Sequence, residues 1–193
     1  MASDAELIGW SLAGDPEAFV EVLDRHESAV WGYLVRRAGR EGAEDLLGEV
    51  WATAFGARGG YDRSYASARP WLFGVALNAL RHHWRARPDT DPLADGTDLA
   101  GLEDPWRGVD ERIDGEALLR GALARLRPEQ REVLVLVVWE DLSIADAARA
   151  LRIPAGTARY LLHQARRDLR DAPEMVALLT AFDTGHKTMK EHT

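Results

Sequence analysis

The chain has 193 residues, contains no cysteine and carries a formal net charge of −8 at pH 7. Without cysteine it cannot form disulfides, thiolate zinc sites or thiol redox sensors of its own. The sequence has no charged-then-apolar leader and no uninterrupted apolar run of about 18 residues, the length that a membrane span needs. We therefore expect a cytoplasmic protein without membrane insertion.

The charge is divided unevenly along the chain. Residues 1–62 hold twelve acidic and five basic residues, whereas residues 63–88 hold five arginines and no acid. Residues 89–116 hold ten acidic and two basic residues, and residues 117–172 hold ten basic and seven acidic ones. Two basic blocks separated by an acidic stretch indicate two nucleic-acid contacts joined by a segment that avoids nucleic acid.

Residues 4–86 are predicted to form an all-helical segment. Asp4 and Asp15-Pro16 are helix-start signals, and apolar residues recur at helical spacing between positions 18 and 35. Glycines at 39 and 42 end and restart the chain before a helix over 43–55, whose outer face carries Asp45 and Glu49. On its position alone, this acidic face is best explained as a solvated helix face.

A basic and aromatic block follows. The loop RGGYDRSYASAR leads into a helix that starts at Pro70 and ends near residue 86. Aromatic faces can stack on bases, arginines can hold phosphates and polar tips can reach base edges. The candidates in this block are Tyr61, Arg63, Ser64, Tyr65, Asn78, Arg81, His82, Trp84 and Arg85. Trp84 is equally well explained as a core residue, and Trp71, Leu72, Val75 and Ala76 are better explained that way.

Residues 88–111 are rich in proline, glycine and acids, which predicts a flexible linker. Beyond it we expect helices over 115–126 and 128–140, then a helix-turn-helix. Ser143 with Asp146 three residues later predicts a capping box, in which each side chain takes a backbone amide of the first turn. Ile153-Pro154 breaks this helix, and the next one begins at Ala155.

The last of these helices is amphipathic. Its apolar stripe, Ala158, Leu161, Leu162, Ala165 and Leu169, predicts the buried side. The opposite side presents cations, planar groups and hydrogen-bonding groups suited to DNA, namely Thr157, Arg159, Tyr160, His163, Gln164 and Arg167. The competing interpretation is an ordinary helical bundle whose arginines are only solvated.

Residues 126–170 closely resemble region 4 of bacterial RNA polymerase sigma factors of the extracytoplasmic-function (ECF) subgroup. The stretches DPEAFVEVLDRHESAVWGYLVRRAG, GAEDLLGEVWATAF and RPWLFGVALNALRHHWRAR resemble region 2, in the same order. The resemblance implies an all-α fold with two small helical domains, over 1–87 and 112–172. The acidic linker 88–111 joins them, and a tail, 173–193, follows.

The resemblance also implies roles for the candidate residues. The helix with Asp45, Gly48 and Glu49 would dock on core RNA polymerase, and the basic block would capture the minus-10 element as a single strand. The helix from Ala155 would read the minus-35 element, with Arg159 on a guanine. An anti-sigma factor is a further expected partner, and the linker would pass through the nucleic-acid channel of the polymerase or act as a plain spacer.

Several positions depart from the usual pattern of the family. Gly48 stands where glutamine is usual on the docking surface, and Arg152 replaces a turn glycine. Leu77 and His82 replace a frequent arginine and aspartate. Tyr160, Leu161 and Gln164 replace the usual serine, arginine and arginine, so we expect an unusual promoter sequence.

We therefore predict a promoter-recognition subunit that initiates transcription, without catalytic residues, cofactor or metal. No nucleophile–base pair, phosphate-binding glycine loop or HExxH helix is present in the sequence. Two alternatives stay open: an autonomous helix-turn-helix regulator that binds duplex DNA, and an adaptor that docks on polymerase without reading DNA. The tail helix over 175–182 is either a packing cap or regulatory.

Overall fold

The computed structural model describes residues 1–86 and 115–173. Every regular element in these two ranges is helical, which confirms the all-α prediction. Within them the α-helices are α1 (Asp4–Leu12), α2 (Ala18–Ala57), α3 (Arg69–Ala86), α4 (Gly115–Ala124), α5 (Pro128–Val138), α6 (Ile144–Leu151) and α7 (Ala155–Arg170), and a 3-10 turn lies at Arg58–Gly60. The predicted linker and all of the predicted tail beyond Pro173 lie outside the described residues.

Helices α1 to α3 form the first domain. Their apolar faces meet in a core that contains Ile8, Val22, Leu34 and Leu80. Tyr33 of α2 packs edge-on against Phe73 of α3, with ring centroids 5.2 Å apart. This burial of apolar surface fixes α3, which carries the basic block, relative to α2, which carries the acidic face.

Helix α2 bends at Gly39. This residue has φ 70° and ψ 173°, so the helical ladder is interrupted there and resumes before Gly42. Only glycine adopts such a conformation at little cost, because an L side chain would be strained at this φ. The predicted break is thus confirmed at Gly39, whereas Gly42 lies inside helix and is buried.

Helices α4 to α7 form the second domain. Leu123, Val133 and Leu134 pack against α7, whose buried positions are Ala158, Leu162 and Ala165. Leu161 and Leu169 are partly buried beside them. The apolar stripe predicted for α7 is therefore its inward face, and its polar side points to solvent.

The two domains pack against each other through α3 and α6. A methyl group on Gly74 of α3 would meet the backbone oxygen of Ala150 of α6 at 2.7 Å, so the two helices approach closely at that glycine. Apolar residues of α5 and α6, including Leu136 and Ala147, join the core of the first domain. The linear sequence, with its long acidic linker, gave no sign of this contact.

Two ion pairs cross the same interface. Arg37 pairs with Glu132, and Arg36 pairs with Glu140, all four side chains being largely buried. Arg69 donates from Nη2 to the backbone oxygen of Glu140 at 3.0 Å. Burial raises the pKa of Glu140 above its usual range, although Arg36 and Arg69 oppose this shift. A buried charge that lost its partner here would be costly.

None of the helices in the described ranges combines the length and the apolar character needed to cross a membrane.

Candidate nucleic-acid interface

The helix-turn-helix is built from α6, a short turn and α7. Ser143 caps α6 by accepting a hydrogen bond from the Asp146 backbone N–H at 3.1 Å. Helix α6 ends at Leu151, and Arg152 takes the left-handed conformation with φ 55°. Pro154 then precedes α7, which begins at Ala155. The turn is therefore closed by an arginine in a conformation that favours glycine.

The predicted capping box is only half formed. The Asp146 carboxylate does not take a backbone amide of the first turn: it accepts the Ser143 hydroxyl at 2.7 Å and pairs with Arg149. Glu6 of α1 shows the complete motif, because its carboxylate accepts the Ser3 backbone N–H at 2.7 Å. Aspartate is one methylene shorter than glutamate, which explains why Asp146 stays with nearer donors.

The polar side of α7 is open to solvent. The residues predicted to read DNA are exposed except for Gln164, which is half-buried: Thr157, Arg159, Tyr160, His163, Gln164 and Arg167. The Tyr160 side chain is the most prominent apolar group of this face, and the residue is 57% exposed. Among the described residues, the guanidinium of Arg159 has no hydrogen-bond or ion-pair partner, so it is available to an external acceptor.

Three side chains on this face are connected along the helix. Gln164 donates from Nε2 to the Tyr160 hydroxyl at 2.8 Å, and Arg167 donates from Nη2 to Gln164 Oε1 at 2.6 Å. Arg167 also pairs with Asp168 at 3.2 Å. Asp168 in turn accepts a hydrogen bond at 2.8 Å from Gln130 of α5, a residue that is 1% exposed. The network fixes the amide of Gln164 and ties this face of α7 to the domain core.

The loop over residues 61–68 lies before α3. Tyr61 is 8% exposed, its ring lies 5.3 Å from that of Trp71, and its hydroxyl donates to the Tyr65 backbone oxygen at 2.6 Å. Burial raises the pKa of Tyr61 to about 12. Arg63, Ser64 and Tyr65 are exposed. In this conformation Tyr61 shapes the loop from within, while the other three predicted residues face outward.

Tyr65 is covered on one side by the second domain. The residue is 41% exposed, and the guanidinium of Arg149 in α6 lies 3.6 Å from its ring centroid. This distance is typical of a cation–π contact. Arg149 lies 84 positions further along the chain, and no local pattern in the sequence pointed to this pair.

Helix α3 presents a second polar face. Asn78, Arg81, His82 and Arg85 are exposed, and Arg85 donates from Nε to the backbone oxygen of Arg81 at 3.0 Å. Trp84 is half-buried against the core, with the Arg37 guanidinium 5.1 Å from its ring centroid. Leu72, Val75 and Ala76 are buried and Trp71 is half-buried, as predicted.

The acidic face of α2 is also accessible. Asp45, Gly48 and Glu49 are exposed on the segment that follows the Gly39 bend. In the part of the chain that the structure describes, no atom outside the helix's own nearby backbone lies within 4 Å of the position that a methyl group on Gly48 would occupy. The surface predicted from the sequence to dock on polymerase is thus not covered at this glycine by any described helix or loop.

Comparison with known families assigns both domains. Residues 22–88 match Sigma-70 region 2, and residues 116–169 match Sigma-70 region 4. These two matches define the class of the protein, a sigma-70-type factor.

Related proteins narrow the assignment. The ECF RNA polymerase sigma factor SigM of Mycobacterium tuberculosis (strain H37Rv) is 33% identical over 166 residues, which cover 85% of this chain and 81% of the relative. RNA polymerase sigma-H factor of Pseudomonas aeruginosa is 28% identical over 175 residues, which cover 84% of this chain and 90% of the relative. The chain belongs to the ECF sigma factors of bacterial RNA polymerase, and its role is in transcription initiation.

Solved structures show the same fold. The sigma factor RpoE of Bartonella quintana, in complex with the anti-sigma factor NepR, superposes with a TM-score of 0.57 at 22% identity, covering 80% of this chain and 95% of that one. CnrH in complex with the cytosolic domain of CnrY superposes with a TM-score of 0.62 at 22% identity. The match covers 92% of this chain and 97% of that one.

Proposed function

We propose that the chain directs core RNA polymerase to promoters by reading the minus-35 element with α7 and the minus-10 element with the loop over 61–68 and α3. The observation that carries this proposal is the open polar side of α7. This side follows the turn of the helix-turn-helix and presents Arg159, which has no partner within residues 1–86 and 115–173. An α-helix fits the major groove of B-DNA, where each base pair shows a distinct set of donors and acceptors.

In the proposed function the residues of α7 would have separate tasks. Arg159 can make the bidentate contact to a guanine, and Thr157 and His163 can reach neighbouring base edges or phosphates. Gln164 is partly engaged by Tyr160 and Arg167, so it would present a fixed amide edge to the groove. The Tyr160 ring offers an apolar surface for a thymine methyl group. We therefore expect a minus-35 sequence that differs from the one common in the family.

The first domain would hold the minus-10 element as a single strand and help to melt the duplex. Arg63 and Arg81 can contact phosphates, Ser64 and Asn78 can bond to base edges, and Tyr65 can stack on a base. Stacking contributes about 1 to 3 kcal/mol per base, comparable to the cost of unpairing one. Arg149 must leave the Tyr65 ring before a base can stack on that face.

The remaining surfaces suit protein partners. The exposed carboxylates of Asp45 and Glu49 fit a basic docking site on core polymerase. An anti-sigma factor is proposed because the Bartonella quintana sigma factor with this fold was solved with one. Work on the bacterial chromosome would place the protein in the cytoplasm, and it needs no catalytic step of its own.

Transcription in vitro tests this proposal. Core polymerase with the full chain is given a randomised promoter library, and the transcribed templates are sequenced. We expect two conserved elements, and Arg159→Ala should alter the recovered minus-35 sequence by weakening selection at one base pair. Arg166 is an exposed arginine of the same helix that is not among the residues proposed to read the minus-35 element. Arg166→Ala should therefore lower the yield of transcript without changing the recovered minus-35 sequence.

Two results would contradict the proposal. Protection of a palindromic duplex by the chain without polymerase would identify an autonomous regulator. Unchanged promoter choice after Arg159→Ala would identify an adaptor that leaves sequence reading to another protein.

A further inference from the structure

Asp4, at the start of α1, is bonded to the loop of the first domain that precedes α3. Its backbone N–H donates to the Ala66 oxygen at 3.0 Å, and its Oδ2 accepts the Ala68 N–H at 2.8 Å. The residue is only 4% exposed. One buried residue thus holds two backbone groups of the loop, just after Tyr65 and just before α3.

The Asp4 carboxylate is itself fixed from α2. Arg25 donates from Nη1 to Oδ1 at 3.0 Å, and the same nitrogen donates to the Ala2 oxygen at 2.7 Å. His26 Nε2 lies 2.7 Å from Oδ2. Burial raises the pKa of Asp4, but the hydrogen bonds from His26 and the Ala68 N–H outweigh it, so the pKa lies below its usual range. The group that holds the loop is therefore an ionised carboxylate with three donors.

Helix α1 makes a second contact with the loop over 61–68, through Arg63. An ideal methyl group on Gly9 of α1 would lie 3.3 Å from Nη1 of Arg63, which means that the Arg63 side chain lies against α1 at this glycine. Across the loop, the Tyr61 hydroxyl holds the Tyr65 backbone oxygen. The Arg63 side chain therefore contacts α1, and the backbone of Tyr65 is held by the Tyr61 hydroxyl.

We infer that Asp4 is a positioning residue for single-stranded DNA: it fixes the loop over 61–68 so that Arg63, Ser64 and Tyr65 present phosphate, base-edge and stacking contacts together. This inference rests on the proposed function of that loop. A loop ordered in advance loses less conformational entropy when it binds, so its affinity is higher than that of a mobile loop with the same side chains.

The informative substitution is Asp4→Asn. The amide has the size of the carboxylate but only one acceptor oxygen, so its NH2 group must face either Arg25 or the Ala68 N–H, donor against donor. We expect about tenfold weaker binding of single-stranded DNA, because hydrogen bonds to a charged group are among the stronger ones in proteins.

Ser3→Ala is the matched control. It removes the side-chain cap of the same helix without removing a bond to the loop. A second variant, His26→Phe, keeps a ring in place and deletes one donor to Asp4 while both loop bonds remain. We expect it to weaken single-strand binding by about threefold, in keeping with the loss of one hydrogen bond.

The experiment uses the full chain bound to core polymerase. The probe is a fluorescent fork-junction DNA whose single-stranded part carries the upstream minus-10 sequence recovered from the randomised library. Binding of a duplex with the recovered minus-35 element and the free energy of unfolding are measured in parallel. For Asp4→Asn we expect weaker binding of the fork-junction probe and unchanged binding of the duplex. Ser3→Ala should bind the fork-junction probe as wild type does, despite its lower free energy of unfolding.

Each other outcome overturns the inference. If wild-type holoenzyme does not prefer the recovered strand to a scrambled one, the proposed function of the loop fails and the inference fails with it. If wild type shows that preference but Asp4→Asn binds the fork-junction probe as tightly as wild type does, Asp4 has a structural role only. The same conclusion follows if Ser3→Ala loses as much fork-junction binding as Asp4→Asn when the two variants are equally stable. If Asp4→Asn does not fold, unchanged fork-junction binding by His26→Phe overturns the inference.

Discussion

Substitution of alanine for glycine should have different effects at Gly48 and at Gly74. At Gly48, on the exposed side of α2, a methyl group would meet no neighbouring element of the described residues within 4 Å. At Gly74, in α3, it would lie 2.7 Å from the backbone oxygen of Ala150. Both residues lie in helices, where alanine is favoured over glycine by about 1 kcal/mol. The difference between the two variants therefore reports the contact between α3 and α6.

For Gly48→Ala we expect the free energy of unfolding to rise by about 1 kcal/mol, which corresponds to roughly 2 to 4 °C in Tm for a chain of this size. For Gly74→Ala the same gain is opposed by overpacking, which costs about 1 to 3 kcal/mol. The opposing atom belongs to a helix backbone, so α6 as a whole must move. We expect no gain in stability and a separation of the two domains.

Urea unfolding measures the first quantity, and small-angle X-ray scattering measures the second. The radius of gyration should increase for Gly74→Ala and stay constant for Gly48→Ala. If Gly74→Ala is as stabilising as Gly48→Ala and equally compact, the close approach of α3 to α6 is absent in solution, and the inferred interface is refuted.

Three further predictions concern buried charge and backbone strain. Glu132→Gln leaves Arg37 largely buried without its carboxylate, and we expect a loss of about 3 kcal/mol in the free energy of unfolding, whereas exposed Glu129→Gln should change it little. Because the pKa of Asp4 is lower in the folded chain than in the unfolded one, its contribution is complete above the unfolded pKa and is lost as pH falls through the folded pKa. Urea unfolding between about pH 2 and pH 6 should therefore show a steeper acid dependence for wild type than for Asp4→Asn. Arg152→Gly removes the strain of φ 55° and should stabilise the second domain by about 1 kcal/mol in urea unfolding. A destabilised variant would show that the arginine side chain contributes more to stability than its backbone strain costs.

The sequence by itself determined the helices and the faces that they bury. The apolar period of α7, the proline at 154 and the serine cap at 143 are local signals, and each one was sufficient because helix formation depends on neighbours within a few residues. The two sigma regions and their order were predicted from the resemblance to the family. The reading and docking roles of the exposed residues stay predictions, since exposure shows access and not the partner.

Tertiary structure decided which side chains meet across long separations. The burial of Tyr61, the pair of Arg149 with Tyr65 and the hold of Asp4 on Ala66 and Ala68 join segments that no local period relates. The packing of α3 on α6 could not be predicted from the sequence either. A glycine inside a helix normally indicates only lower helix stability, and the reason for Gly74 is seen once the Ala150 carbonyl is placed next to it. Such contacts depend on how whole helices are arranged, and a linear pattern carries no record of that arrangement.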